Sequence, residues 1–226
     1  MLPELRGSTT LTAVRRAGIS LLVIAIIGQL GWLAEFVLHT HMSSLRTVTS
    51  ALAVPGQPHA PLFRAAELVA GVALVLAVPP LLRITPVHSS ARATMVLVGM
   101  LGVLYLVRGV FPLECRVVAG GGCAPDPDPS LGGQLHIAAS ILVNVFCSAG
   151  PIALLLWWYG RWTIAPAIGV GLGTLAWLLL VLDDFVGPGE FAGLASRGQM
   201  ISASIVLGAG VAYLRKTGGD RTARMA

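Results

Sequence analysis

The feature that most constrains this chain is a set of six apolar runs. Each has about 18 residues or more, enough to cross a hydrocarbon core about 30 Å thick at about 1.5 Å per helical residue. The 226 residues are 55% hydrophobic and 11% charged, whereas a soluble domain has about 25% charged residues. The sequence therefore predicts an all-α, polytopic integral membrane bundle of six transmembrane helices. The predicted spans are residues 17–40, 63–82, 94–113, 136–159, 162–183 and 198–214.

The connections between these runs are short, so the chain has room for a single domain. We predict a basic leader at residues 1–16, the six-helix domain at residues 17–216 and a tail at residues 217–226. The first run is too long for the apolar part of a signal peptide, and no small-residue cleavage site follows it. We therefore interpret it as an uncleaved span.

Arginine and lysine are distributed unevenly between the two ends of the predicted bundle. If the N-terminus is cytoplasmic, ten of the 15 Arg and Lys residues lie on the cytoplasmic side and five at or near the outer side. Short cytoplasmic loops are enriched in these residues, so both termini are predicted to be cytoplasmic. The net charge of +5 then reflects topology, and no nucleic-acid partner is predicted.

Local patterns give four further expectations. Residues 43–54 of the first outer loop are expected to form a short interfacial helix, and Pro79-Pro80 is expected to end the second span. Aromatic residues at 157–159 and 162 are expected to form a belt at the cytoplasmic interface. Gly169 and Gly173, four residues apart, would allow another helix to approach span five closely.

Two of the three cysteines fall in one outer loop. Cys115 and Cys123 are separated by a glycine-rich stretch, and the outer compartment can be oxidising, so we predict a disulfide there. Two free thiols are the alternative. Cys147 lies in the middle of span four and is interpreted as a small apolar packing residue.

Ionisable and polar side chains gather near the outer ends of the spans. A charge costs roughly 2.5–3.5 kcal/mol at the centre of a bilayer, so such groups should face the bundle interior and pair. Arg108 is the deepest cation, and Glu35 or Glu67 is its expected partner, which would form a Glu–Arg–Glu cluster beside His136 and Asn144. The candidate ligand-binding residues are Arg108, Glu35, Glu67, His136, Ser140, Asn144, Tyr105, Asp183 and Asp184.

Three interpretations of this polar set remain open. It could be a structural plug, in which the charges neutralise one another and set the helix register. It could form a pocket open to the outer leaflet, in which the planar fork of Arg108 binds a lipid phosphate or carboxylate. It could also be catalytic, with Ser140 as nucleophile and His136 one turn earlier as base.

A metal-dependent version of the catalytic interpretation is the main alternative. His39, His41 and His136, with Glu35, Glu67 or Asp183, would hold zinc for hydrolysis of a lipid. However, the sequence contains no H-E-x-x-H or other spaced ligand motif, so neither a metal nor a cofactor is predicted. Whether the protein is an enzyme stays open at this stage, and a non-enzymatic role is favoured.

The chain resembles the bacterial membrane-protein family catalogued as domain of unknown function 998. The residues that carry the resemblance are Arg108-Gly109-Val110-Phe111-Pro112, the glycine-rich loop leading to Leu135-His136-Ile137-Ala138-Ala139, the approach to span two at 55–64, and 193–197 before the last span. An Asp is expected after the Phe-Pro pair, where Leu113-Glu114 stands here. The resemblance covers about residues 15–216 and implies a compact six-helix membrane protein with no established activity.

We therefore predict a multi-pass protein of the plasma (inner) membrane that binds a lipid or small amphiphile at its outer leaflet, for transport or sensing. Membrane lipids are the predicted partners. A protein partner, a second copy of the chain and an accessory role in a membrane complex are left open.

Overall fold

The computed structural model describes residues 3–118, 122–186 and 190–223. Its helices are α1 (Pro3–Gln29), α2 (Ala60–Ile84), α3 (Ser89–Val110), α4 (Leu131–Leu155), α5 (Ile164–Val186) and α6 (Ala192–Ala223). Short 3-10 helices occur at Leu30–Phe36, Thr49–Ala53 and Gly160–Thr163. Strands β1 (Cys115–Val118) and β2 (Gly122–Pro125) form one antiparallel hairpin. The predicted all-α class is thus confirmed, with a hairpin that the sequence analysis did not anticipate.

Five of the six helical segments are long and apolar enough to cross a membrane. The sixth, α6, carries Arg197 near its start and Arg215 near its end, and its uncharged stretch lies between them. The count of six spans and the cytoplasmic termini stay predictions. The outer face of α2 exposes Leu62, Val69 and Leu76 on one side of the helix, as expected for a surface in contact with lipid.

The helices form a closed ring in chain order, because each packs against the next and α6 packs against α1. Small residues allow the closest approaches. A Cβ atom added at Gly71 of α2 would lie 2.8 Å from the carbonyl oxygen of Gly102 of α3, and one added at Gly28 of α1 would lie 2.7 Å from that of Ala66. The GxxxG pair of α5 packs on α4, with Gly169 against Pro151 and Gly173 against Ser148.

The ring has two different ends. We call the end that carries the β1–β2 loop the hairpin end, and the end that carries Arg15, Arg83 and Arg215 the basic end. Cys115 and Cys123 form a disulfide across the hairpin, with their Cα atoms 5.5 Å apart. Cys147 is a buried free thiol within α4. The ends therefore differ in covalent structure as well as in charge.

Two local expectations differ from the structure. Pro79 and Pro80 lie inside α2, which continues to Ile84, where the hydroxyl and backbone N–H of Thr85 bond to the Leu81 carbonyl. The leader is not separate from the first span, because α1 is continuous from Pro3. Neither difference changes the number of helices.

Substitution of Gly71 by Ala should destabilise the protein, because the added methyl group would press on the backbone of α3. Overpacking of this kind costs about 1–3 kcal/mol. Gly208→Ala is the matched control, since no atom lies within 4 Å of a Cβ built at Gly208. Thermal unfolding in detergent should show a lower Tm for Gly71→Ala and no decrease for Gly208→Ala. Equal Tm values for the two variants would contradict the tight α2–α3 contact.

A second expectation concerns acid sensitivity at the start of α4. Hydrogen bonds from the hydroxyl and backbone N–H of Ser130 lower the pKa of Glu114 from its ordinary value of 4.5. A lowered pKa in the folded state means that this contact stabilises the fold above the ordinary value and is lost as pH falls through the lowered one. A carboxyl NMR titration should give a higher pKa for Glu114 in Ser130→Ala than in wild type, whereas the distant Thr163→Ala should leave it unchanged. An unaltered pKa in Ser130→Ala would refute the assigned cause.

Candidate functional site

Two buried ion pairs lie at the hairpin end. Arg108 of α3 contacts Glu67 of α2 through its Nη2 atom at 2.7 Å. Arg197 of α6 contacts Glu35 through two hydrogen bonds, Nε to Oε1 at 2.7 Å and Nη2 to Oε2 at 2.5 Å. The expected Glu–Arg–Glu cluster around Arg108 is therefore not formed, because Glu35 is held by a different arginine.

Arg197 is the organising residue that the sequence analysis left outside the candidate site. Its Nη1 atom also donates to the carbonyl oxygens of Thr47 at 2.8 Å and Gly193 at 3.0 Å, and its guanidinium lies 5.6 Å from the centre of the Trp32 ring. It thus joins α6, the segment after α1 and the first outer loop. Arg197 can reach Glu35 because α6 packs beside α1. A single sequence does not show which helices are neighbours, so this pair could not be predicted.

The loop between α1 and α2 folds into the bundle at this end. Residues Thr49–Ala53 form a 3-10 helix whose side chains are all buried, with Ala51 and Leu52 almost completely enclosed. The backbone N–H and the hydroxyl of Thr49 bond to the Ser196 hydroxyl, at 3.2 and 2.8 Å. The interfacial helix expected at 43–54 is instead this buried turn, which closes the hairpin end.

The space between the two ion pairs is small. A cavity of about 40 Å³ is lined by residues of α1, α2, α3 and α6 and of the buried turn, among them Glu67, Tyr105 and Arg108. A single water molecule occupies about 30 Å³ in the liquid, so this space is too small for a lipid or its head group. The cavity beside Arg108 therefore offers no room for the predicted outer-leaflet lipid among the residues that the structure describes.

The remaining candidate residues do not converge on this cavity. The His136 Nδ1 atom lies 2.7 Å from the Phe111 carbonyl oxygen, which makes Nδ1 the donor because a carbonyl only accepts. Further along the same line of α4, Ser148 bonds to the Asn144 carbonyl and to Trp177 of α5. The line of polar residues along α4 therefore faces α3 at His136 and α5 at Ser148, and it does not face the small cavity.

Asp183 and Asp184 lie in the last turn of α5. One carboxylate oxygen of Asp183 accepts from the backbone N–H of Phe191 at 2.6 Å. The side chain of Asp184 lies outside the described residues. Tyr105, in contrast, lies beside Arg108 and places its hydroxyl 3.5 Å from the Met200 sulfur.

The proposed zinc ligands are not brought together. His39 and His41 are exposed in the first outer loop, whereas His136 is buried between α3 and α4. Within the part of the chain that the structure describes, no three His, Cys, Asp or Glu side chains are grouped closely enough to hold a metal ion. The hydrolase interpretation thus lacks its metal site among these residues.

The large cavity lies at the opposite, basic end. Its volume is about 1140 Å³, it is partly open, and α1, α2, α3, α4 and α6 all contribute to its wall. The wall is mainly apolar: Leu22, Leu101 and Phe146 line its inner part, and Arg15 and Arg83 lie at its mouth. The sequence analysis missed it, because a cavity between apolar helices leaves no pattern of polar residues.

Aromatic rings gather at the mouth of this cavity. Trp157, Trp158, Trp162 and Tyr213 are in mutual contact, with Trp158 stacked on Tyr213 at 5.0 Å between ring centres. The expected aromatic belt is thus partly a packed cluster that includes α6, while Tyr159 points outward and is exposed. Trp158 is buried, and its Nε1–H donor has no partner among the described atoms.

Loss of the Arg197 side chain should destabilise the fold strongly, because Glu35 would remain buried without a counter-charge. Breaking a buried pair in this way costs about 3–5 kcal/mol. Arg46→Gln is the matched control, since Arg46 and Glu190 form an exposed pair, which is worth about 0–1 kcal/mol. Thermal unfolding in detergent should therefore separate Arg197→Gln from Arg46→Gln. Similar Tm decreases in the two variants would refute the role given to Arg197.

Comparison with known proteins adds one match. Neither the curated proteins nor the solved structures contain a match to this chain. A family model described as "Protein of unknown function (DUF998)" matches residues 21–213, which is most of the chain and includes all six helices in whole or in part. The resemblance seen in the sequence is thereby confirmed, and the chain is a member of the DUF998 family of proteins of unknown function.

Proposed function

We propose that this membrane protein binds an anionic lipid from one leaflet, with the lipid chains in the cavity at the basic end. The observation that carries the proposal is the apolar cavity of about 1140 Å³ with Arg15 and Arg83 at its mouth. Ligand pockets in proteins usually measure about 300–1,000 Å³, so this volume suits a ligand larger than most metabolites.

The depth of the cavity matches one leaflet. Along α6 its wall runs from Ala203 to Thr217, a distance of about 20 Å at about 1.5 Å per residue. Half of a bilayer, including its headgroup region, is about 20–22 Å thick. A lipid chain that extends from the mouth towards the middle of the bundle would therefore stay within the half of the membrane from which it came.

The charge at the mouth favours an anionic head group. Arg15 and Arg83 form no ion pair with any residue that the structure describes, so both guanidinium groups are available to a phosphate, which such groups bind through two hydrogen bonds. Trp158 adds a buried donor on the cavity wall. In the predicted orientation this end faces the cytoplasmic leaflet, where anionic lipids attract basic groups.

The closed hairpin end favours binding or sensing over transport in this conformation. The buried turn at Thr49–Ala53 and both buried ion pairs lie at that end of the ring. Passage of a lipid through the ring would require these contacts to open together. A lipid that enters at the basic end would therefore leave by the same end.

The proposal predicts that the protein retains an anionic lipid when it is purified in mild detergent. Native mass spectrometry should show a bound phospholipid, and added phosphatidylglycerol should raise the Tm more than added phosphatidylcholine does, because a ligand that binds the folded state stabilises it. The double variant Arg15→Gln/Arg83→Gln should bind the two lipids equally. A wild-type protein with no retained lipid and no preference would refute the proposal.

Filling the cavity tests its apolar part separately. A Cβ added at Gly150 or Gly210 meets no atom within 4 Å, and both residues line the cavity, so Gly150→Leu/Gly210→Leu should occupy part of it. We expect this variant to fold and to retain less of both lipids. Gly208→Leu is the control, because Gly208 has the same free space and does not line the cavity. Unchanged lipid retention in the filled variant would place the lipid elsewhere.

A further inference from the structure

The cavity of about 40 Å³ beside the Arg108–Glu67 pair is lined by residues of which three carry a buried polar atom without a partner among the described residues. We propose that it is a binding site for at least one ordered water molecule, which connects Arg108, Gln29 and Trp32. The proposal concerns the hairpin end and is independent of lipid binding at the basic end.

Three unpartnered atoms, each on a residue that lines the cavity, carry this inference. The Oε1 atom of Gln29, the Nε1 atom of Trp32 and the Nε atom of Arg108 are buried and form no hydrogen bond with the described residues. The three residues are only 5%, 8% and 5% exposed. The amide of Gln29 is fixed by its other atom, because Nε2 donates to the Met200 carbonyl oxygen at 3.3 Å. Leaving such groups without a partner costs about 1–3 kcal/mol each, so a partner is expected.

The chemistry of these atoms identifies the ligand. Arg108 Nε and Trp32 Nε1 are donors and require an acceptor, whereas Gln29 Oε1 is an acceptor and requires a donor. Water supplies both. A chloride ion could not donate to Gln29 and would lie near the Glu67 carboxylate, and a metal cation would lie near the Arg108 guanidinium. An uncharged molecule that both donates and accepts therefore fits best.

The volume of the cavity also indicates a water molecule. A buried water needs a space of at least about 10–15 Å³ and two to four polar partners. The cavity offers about 40 Å³, and its lining residues include Glu67, Thr49 and Tyr105, whose side chains carry further oxygen atoms. An organic ligand would be too large.

This water would connect the two ion pairs, which share no direct contact. Arg108 belongs to the pair with Glu67, while the Trp32 ring lies beside the guanidinium of Arg197, which holds Glu35. A water bonded to both Arg108 and Trp32 thus links α3 with the segment that follows α1.

The test is radiolytic labelling of the full-length protein in ¹⁸O water, read by mass spectrometry. Hydroxyl radicals formed at a bound water oxidise adjacent side chains even where bulk solvent has no access. We expect labelling of Tyr105 and Met200, and its loss in Gln29→Leu, which removes the acceptor. Gln199→Leu is the control, because Gln199 is also buried with an unpartnered amide nitrogen and does not line the cavity.

Two additional measurements keep the proposal open to refutation if Gln29→Leu does not fold. Trp32→Phe removes one donor and should also reduce labelling of Tyr105. A high-resolution map of the wild-type protein should contain a peak within hydrogen-bonding distance of Gln29 Oε1 and Arg108 Nε. Absence of Tyr105 labelling in wild type would overturn the proposal, as would an anomalous peak at this position in bromide buffer, which would identify an anion.

Discussion

A charged side chain inside an apolar bundle must find its partner within the protein, because no bulk water is available to solvate it. The rest of this structure depends on that constraint at Arg197, which satisfies Glu35 with two hydrogen bonds and the Thr47 and Gly193 carbonyls with two more. These bonds require α6 to lie beside α1, which closes the ring. They also hold the first outer loop inside the bundle.

The two ends of the ring consequently differ in the pairing of their charged groups and in the size of their cavities. At the hairpin end, Arg108 is paired with Glu67 and Arg197 with Glu35, and the cavity beside Arg108 has a volume suited to water. At the basic end the walls are apolar, the cavity is large, and Arg15 and Arg83 have no ion-pair partner among the residues described. Polar residues in a membrane interior are often a sign of function, but here the charged ones named above pair with one another, and the large cavity lies where the sequence is least distinctive.

Much of the architecture could be predicted from hydropathy, because an apolar run of sufficient length has few alternatives to a membrane helix. The depth of Arg108 in its helix allowed two partners, Glu35 or Glu67, and the structure shows the pair with Glu67. The pairing of Glu35 with Arg197 could not be predicted, since it depends on which helices are neighbours in the ring. The burial of Thr49–Ala53 could not be predicted from the sequence either, because a short apolar loop has the same composition whether it lies on a membrane surface or inside a bundle.

Helix α5 stands apart from the other five, since none of its residues lines the large cavity. It covers the seam between α4 and α6 from outside, where Gly169 contacts both Pro151 of α4 and Val206 of α6, and Ser202 of α6 donates to the Gly169 carbonyl. Pro151 and Val206 also line the cavity, so α5 forms a second layer behind the cavity wall at this seam. A gap between α4 and α6 at this position would therefore face α5 and would not open directly to the surrounding membrane.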